Sequence, residues 1–426
     1  MERHRLVPLA CLSLLLVAGC GASSGLPGSS TPAAPLSWSI VSGPTPAGIT
    51  DSLLNGVTCV SASDCWAVGE YHDQTLTRIA HDAGRGWNVV PSPTPPGSTQ
   101  VYLEAVTCTG ASDCWAVGRY TQADDGDIQT LIEHYAGSDW SMVSSPNPSS
   151  SKWAELARVT CVSASDCWAG GAVTYLSSYG GPDDVNNNQF NPLIEHYSGS
   201  GWNIVSSSAP SGSTQVYLQG ISCVGAGDCW AVGFYNSAPL TGASNDQTLI
   251  EHDAGSGWSI VSSPNPSGSA NSQLYAVNCV SAGDCWAVGS AGNVASDSVA
   301  GSTTLIEHNT GSGWSIVSSS TASGITDSEL DGVTCVSSTD CWAVGSYAGA
   351  DAIASASASA ILRNSTLVEH DAGSGWSTVP SPTPSGSTQV YLPGLTCASA
   401  SGCWAVGYFT DADGNTQALI EQGRTA

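Results

Sequence analysis

The 426-residue sequence predicts an all-β chain, a seven-bladed β-propeller with four antiparallel strands per blade, and three observations carry that prediction. A Cys-x5-Cys-Trp-Ala motif occurs seven times, at Cys59/Cys65, Cys108/Cys114, Cys161/Cys167, Cys223/Cys229, Cys279/Cys285, Cys335/Cys341 and Cys397/Cys403. Four short apolar segments accompany each copy. The repeats also begin with a lone fourth segment and end without one. Copies recurring every fifty to sixty residues or so mark a repeat architecture rather than a string of different domains.

The second repeat shows the four segments as 102–108, 114–120, 130–134 and 140–144. Each is rich in Val, Ile, Trp, Tyr and Thr and is bounded by Gly, Ser, Pro or Asp, which is the composition of a short strand. No apolar 3.6-residue period is long enough for a helix outside the first twenty residues. The lone segment 38–42 carries the pattern of a fourth strand, and the last repeat stops after 416–421. Segment 38–42 is therefore expected to complete the last blade, leaving no open innermost edge.

Tryptophan placement follows the same frame. Seven stand in second strands (Trp66, Trp115, Trp168, Trp230, Trp286, Trp342, Trp404) and seven open fourth strands (Trp38, Trp87, Trp140, Trp202, Trp258, Trp314, Trp376). A residue that recurs in every blade reads as packing between blades. Only Trp153 stands outside the frame. The Ala-Val-Gly after most second-strand tryptophans suits a region where large side chains do not fit.

The amino terminus reads as a targeting segment. Arg3 and Arg5 precede an apolar run, 6–18, that is too short to span a bilayer. It ends in Val17-Ala18-Gly19-Cys20, which resembles the lipobox of bacterial lipoproteins. That resemblance implies a signal peptide over 1–19, acylation of Cys20, and a Gly/Ser/Pro tether over 20–36 ahead of a single propeller, 37–426. The expected location is the outer face of the bacterial cytoplasmic membrane or the cell surface, with the lipid as the one membrane contact. Setting aside Cys11 and Cys20 leaves fourteen cysteines, all in the seven pairs. In an oxidising compartment these read as seven local disulfides, and two per repeat make a poor zinc set.

A formal charge of −26 with one lysine, Lys152, excludes the clustered positive charge that nucleic acids and anionic head groups require. Between third and fourth strands runs a turn seen in Asp253-Ala-Gly255-Ser-Gly-Trp258, Asp82-Ala-Gly84-Arg-Gly-Trp87 and Asp371-Ala-Gly373-Ser-Gly-Trp376. Asp can bind the backbone of its own turn, and Gly supplies a positive φ. The Asp-x-Gly-x-x-Trp spacing resembles the Asp-box turn of sialidase-type propellers, in which the turn is structural. Other blades put Tyr135, Tyr197, Asn309 or Gly423 at the Asp position. The resemblance therefore implies a fold and not an activity.

Six repeats place a histidine before this turn (His81, His134, His196, His252, His308, His370), with Gln422 in the seventh. Dispersal around a ring keeps them from converging on one ion, so they read as structural, and His72 as a loop residue. Variation in loop length concentrates in the second-to-third connections, 172–191 in the third repeat and 347–365 in the sixth. Recognition must break the sevenfold sameness, which puts a site on that face or at its channel mouth. Acidic patches lie there at Asp124-Asp125-Gly126-Asp127, Asp183-Asp184 and Asp411-Ala-Asp413-Gly-Asn415. Asp411, Asp413 and Asn415 are calcium candidates by their alternating oxygens, although Thr416 departs from the calcium-loop pattern. The loop 352–360 is Ser- and Ala-rich.

Arg78, Arg85, Arg119, Arg158, Arg363 and Arg424 share no blade position, and no hydrolase elbow, zinc-protease or phosphate-loop motif occurs. The sequence thus leans away from an enzyme. It is read as a monomeric, non-enzymatic binding or scaffold module for a protein or envelope glycan, with no catalytic residue and no cofactor besides a candidate Ca²⁺. The alternatives are a glycoside hydrolase or lyase of the Asp-box propeller type and a calcium-dependent adhesin. Carboxylates paired at the channel mouth would favour the enzyme, and a mouth of Ser, Ala and Gly the module.

Overall fold

The computed structural model describes residues 36–44, 49–71, 76–175, 189–237, 245–292, 301–320, 325–349 and 364–425. Among them are twenty-eight strands and no helix. The expectations for the signal 1–19, Cys20, His72, Asp183, Asp184, loop 352–360, Arg363 and all of the tether except Leu36 fall outside these residues.

Seven antiparallel four-strand units follow one another, each built around one disulfide hairpin. Their first strands are Ser52–Ser61, Ser98–Gly110, Trp153–Ser163, Gln215–Gly225, Asn271–Ser281, Ile325–Ser337 and Gln389–Ser399. Five units are separate four-stranded sheets. The second and third join into one eight-stranded sheet through a parallel bridge between Trp153 and Ile128. The strand Leu36–Ile40 lies two residues earlier than the expected 38–42 and pairs antiparallel with Thr416–Thr425, from Leu36 opposite Thr425 to Ile40 opposite Glu421. It thus supplies the fourth strand of the seventh unit.

Three repeated contacts build the structure, two between units and one within each. The second-strand tryptophan of each unit meets the tryptophan opening the fourth strand of the next unit, as in Trp115–Trp202 at 5.5 Å and Trp230–Trp314 at 5.4 Å. The series runs on through Trp342–Trp38 at 5.9 Å and Trp404–Trp87 at 5.4 Å, so the seventh unit packs on the first. Edge-on ring pairs of this kind add to the area they bury. Around each pair lies an apolar cluster shared by two neighbours. One of these clusters joins Leu54 and Val57 of the first unit to Trp404 and Val406 of the seventh.

The cysteines enter the same clusters. Bridges join Cys59–Cys65, Cys108–Cys114, Cys161–Cys167, Cys223–Cys229, Cys279–Cys285, Cys335–Cys341 and Cys397–Cys403. The second member of each is fully buried. Cys65, Cys114, Cys167, Cys229, Cys285, Cys341 and Cys403 each lie in the apolar cluster shared with the preceding unit, while their partners are half-buried. Cys114, for example, packs in one cluster with Trp66, and Cys65 in one with Trp404. The reason is strand alternation. Cysteine and tryptophan are consecutive on the second strand, so sulfur and indole face opposite neighbours. The bridges therefore belong to the packing between units, and their buried sulfurs form no site for a ligand.

The second contact is a buried seam. Glu133, Glu195, Glu251, Glu307, Glu369 and Glu421 are fully buried on third strands, and each accepts a hydrogen bond from a serine of the preceding unit. In the first unit the glutamate is Ala80, and the matching serine position of the closing segment is Gly43, so both partners are missing together. Arg78 stands at this seam where the other units have leucine. It is fully buried and donates to the Pro44 carbonyl.

The third contact lies within a unit. Each of the six histidines stacks on its own second-strand tryptophan, at 3.7 Å for Trp286–His308, and its Nε2 bonds to an aspartate of the disulfide hairpin, as in His308–Asp284 at 2.8 Å. The seventh unit has Gln422 for the histidine and Gly402 for the aspartate. These histidines are structural through the tryptophan and the hairpin rather than through the turn that follows.

Candidate functional site

The candidate site comes from a defect common to all first strands. Each carries a bulge just before its first cysteine, with register shifts at Leu54/Gly56, Leu103/Ala105, Leu156/Arg158, Leu218/Gly220, Leu274/Ala276, Leu330/Gly332 and Tyr391/Gly394. A bulge re-aims a side chain that regular pairing would hold in line. Here the unpaired residues include Asn55, Glu104, Tyr275 and Asp331. First strands of six units converge on a cavity of about 130 Å³ lined by Asn55, Glu104, Arg158, Val277, Gly332 and Pro393 among others. Six units place Gly or Ala directly after the bulge, and the third places Arg158 there, the one long side chain in that series.

One step further from the disulfide hairpins, cross-strand pairs form a mouth of unlike residues. They are Leu53/Glu70, Tyr102/Arg119, Glu155/Ala172, Tyr217/Phe234, Gln273/Ser290, Glu329/Ser346 and Tyr391/Tyr408. Arg119 Nη1 bonds to Glu104 Oε1 at 3.0 Å and to Glu155 Oε2, while its guanidinium lies 4.5 Å from the Tyr102 ring centre. Burial lowers the Arg119 pKa, but the Glu155 and Glu104 charges outweigh it and push the guanidinium up. Burial raises the Glu155 carboxyl against the pull of Arg119.

Other carboxyls have weaker compensation. Burial, helped by the Glu104 charge and opposed by Arg119, pushes Glu70 up to about 8. Burial and the Glu329 charge push Asp331 well above the usual carboxylate range against Arg158, and Asp331 Oδ2 is buried without a hydrogen-bond partner. Burial raises Glu329 too, whose Oε1 accepts from Ser346 Oγ at 3.3 Å. Desolvation disfavours the charged form of an acid, so Glu70, pushed up to about 8, holds its proton near neutral pH. One mouth thus holds carboxyl groups bonded to Arg119 beside a carboxyl, Glu70, that keeps its proton, the division of labour that acid-assisted glycosidic cleavage uses.

Rings and a polar recess complete the mouth. On the third and fourth units Trp153, Phe190, Tyr217 and Phe234 make a continuous row, with successive centroids 5.2, 4.8 and 5.0 Å apart. Tyr391 and Tyr408 stand 5.1 Å apart on the seventh. Between the sixth and seventh units a cavity of about 280 Å³ is lined by Ser302, Asp327, Glu329, Ser346, Asn364 and Tyr391 among others.

The residues singled out from sequence fall elsewhere. The seven disulfides stand at the opposite end of the strands from the mouth. In the Asp-box-like turns, Asp82 Oδ1 accepts from the amides of Gly84, Arg85 and Gly86, and Asp371 Oδ1 from Gly373 and Gly375, with both Gly84 and Gly373 at positive φ. Asp411 Oδ1 accepts from the amides of Asp413 and Asn415, and the Asn415 side chain donates to its other oxygen. The side chains of Asp411 and Asn415 are thus engaged in closing their own turn. Among the described residues no three His, Cys, Asp or Glu side chains are grouped to hold a metal. Asp127 pairs with Lys152 at 2.8 Å.

No family model matches the chain, and no curated protein does. Among solved structures, the polysaccharide lyase Uly1 is similar at a TM-score of 0.51 and 9% identity, covering 87% of this chain and 89% of that one. An α-L-arabinanase of Penicillium chrysogenum aligns at 0.44 and 9%, covering 92% and 98%, and a Trypanosoma rangeli sialidase mutant at 0.40 and 10%, covering 80% and 55%. At these identities the likeness is one of fold alone. The expectation of a non-enzymatic module, and the leaning away from an enzyme, are corrected here. The fold is shared with a polysaccharide lyase, Uly1, and the mouth is lined by carboxyls, guanidinium groups and rings instead of Ser, Ala and Gly alone.

Proposed function

We propose that the chain is a closed seven-bladed propeller, lipid-anchored through Cys20 outside the cell, that cleaves glycosidic bonds at its channel mouth. The observation that carries this reading is the ring of unlike ionisable and aromatic side chains at repeat positions otherwise open to one residue type. Closure is supported by the pairing of Leu36–Ile40 with the last strand and by the Trp404–Trp87 contact. Asp331 and Glu70 are the candidate proton donors. Glu104 and Glu155, fixed by Arg119, are the candidate carboxylates. The adhesin reading has less behind it, since Asp411 is already bonded within its own turn.

The test is release of new chain ends from a panel of polysaccharides, read as reducing sugar and as absorbance of unsaturated products. Wild type should release them. Asp331→Asn and Glu70→Gln, each shown by circular dichroism to keep the fold, should be slower by roughly 10²-fold or more, the scale of a lost acid catalyst. Full activity in both variants, or none in wild type on every glycan, would sink the proposal.

A further inference from the structure

We infer that the glycan taken at this mouth lacks carboxylates, being neutral or bearing free amines, and that it lies on the aromatic row of the third and fourth units. The inference rests on the reading of the mouth as a glycan-cleaving site and narrows its substrate class.

The first ground is the state of the cations. A polyuronate puts a carboxylate on each sugar, and its binding needs donors free to meet that charge. Arg119 is already held by Glu104 and Glu155. Arg158 Nη1 donates to the Ala157 carbonyl, and the charges acting on that guanidinium are Glu104, Asp331 and Glu155. Lys152 is paired with Asp127, and Arg78 is buried at the seam between the first and seventh units. Arg85 and Arg424 sit at the disulfide end, in the Asp-box-like turn and opposite Gly402. Among the described residues Arg158 alone at the mouth lacks an ion pair, and a uronate reaching it would meet Glu104 and Glu155 as well.

The second ground is what the mouth offers instead. Asp327 and Glu329 line the recess between the sixth and seventh units, and no described cation lines it with them. Burial pushes Glu329 toward its neutral form, so it is Asp327 that repels an acidic sugar and attracts an ammonium group. Across the mouth stands the row Trp153, Phe190, Tyr217 and Phe234. The sequence has three phenylalanines and one tryptophan outside the repeat frame, and this row takes two of the former and the latter. Phe190 is buried and joins the third unit to the fourth through Tyr217, while Trp153, Tyr217 and Phe234 stay half-buried and keep part of their rings accessible. Flat apolar rings with polar rims suit the face of a pyranose, which is apolar in its C–H groups and polar at its edge.

The experiment measures binding and cleavage by the full chain on a neutral β-glucan, on chitosan and on polygalacturonate. The expected result is binding and cleavage of the first or second, with polygalacturonate at least about tenfold weaker at low salt, where charge repulsion is least screened. Trp153→Ala/Tyr217→Ala should weaken the preferred glycan at least about tenfold. Asp327→Asn should weaken chitosan severalfold more than it weakens the neutral glucan. Cleavage of polygalacturonate in preference to the others would overturn the inference and leave the enzyme reading standing. Unchanged affinity in the aromatic double variant would also overturn it. Failure to bind or cleave any of the three overturns the inference and the enzyme reading together.

Discussion

Replacing Glu133, Glu195 and Glu307 together by Gln separates the shape of the inter-unit seam from its proton. Each of the three is fully buried, with both carboxyl oxygens 3.0 or 3.1 Å from a serine hydroxyl of the neighbouring unit. Burial pushes all three up to about 8 from 4.5, opposed by the serine hydrogen bond. The folded protein therefore keeps these protons to a higher pH than the unfolded chain does. Their contribution is complete below about pH 4.5 and is lost as the pH climbs through 8. At roughly 1.4 kcal/mol per pH unit, the ceiling for one site is about 5 kcal/mol. Six seams at that ceiling would exceed the roughly 5–15 kcal/mol that holds a domain folded. Water must therefore enter a seam as it ionises, and a loss on the order of 1 kcal/mol per seam is expected. With an unfolding entropy of about 2 cal/mol/K per residue, six such losses lower Tm by roughly 5–10 °C between pH 5 and pH 8. Thermal unfolding followed by circular dichroism at several pH values reads this directly. Wild type should be most stable near pH 5, and the triple variant should show about half the slope whatever its absolute Tm. A wild-type Tm that is flat or rises toward pH 8, or an unchanged slope in the variant, would refute the reasoning.

Three further predictions concern the frame. Trp38→Ala removes a buried ring packed on Trp342 and against Gly423, and should destabilise by about 3–5 kcal/mol in urea unfolding. A loss under about 1 kcal/mol would mean that the leading strand does not close the structure. Replacing Cys279 and Cys285 by Ala opens a short loop without burying a hydroxyl at position 285, and the chain-entropy estimate is about 2 kcal/mol. An unchanged denaturation midpoint would contradict it. A Cβ at Gly233 would sit 1.9 Å from the Tyr217 carbonyl oxygen, so Gly233→Ala must spread the first two strands of the fourth unit. It should cost roughly 1–3 kcal/mol and weaken glycan binding through Tyr217 and Phe234. Full stability with full affinity would count against both.

The frame is legible in sequence because it repeats. Cysteine spacing marks the hairpins, the two tryptophan series mark second and fourth strands, and the unmatched ends tell which strand completes the last unit. The Ala-Val-Gly motif has a related but different reason from crowding between neighbours. Its glycine is required by the carbonyl of its own paired first strand, as at Gly233. The mouth escapes a reading by motif because its residues share a position and not a type. Glu70, Arg119, Phe234 and Tyr408 all lie five residues after a second cysteine, and Tyr102, Glu155, Tyr217 and Glu329 six before a first. A search for arginines that coincide in blade position passes over that signal. Arg158 is further hidden by the bulge, which shifts it into a register where other units carry Gly or Ala. The six seam glutamates are visible as a column, yet nothing in one sequence names the serine that reaches them from the neighbouring unit.

The matched losses at Ala80/Gly43 and at Gln422/Gly402 have a consequence for assembly. Six interfaces are chemically alike, so a nascent sheet carries no label telling it which neighbour to accept. Chain order alone must sort them. The junction where Arg78 reaches the Pro44 carbonyl is different, and a displaced sheet that brings a glutamate and a serine there finds a guanidinium and no partner. That odd joint sets the interface beside the leading strand apart from every other interface in the chain.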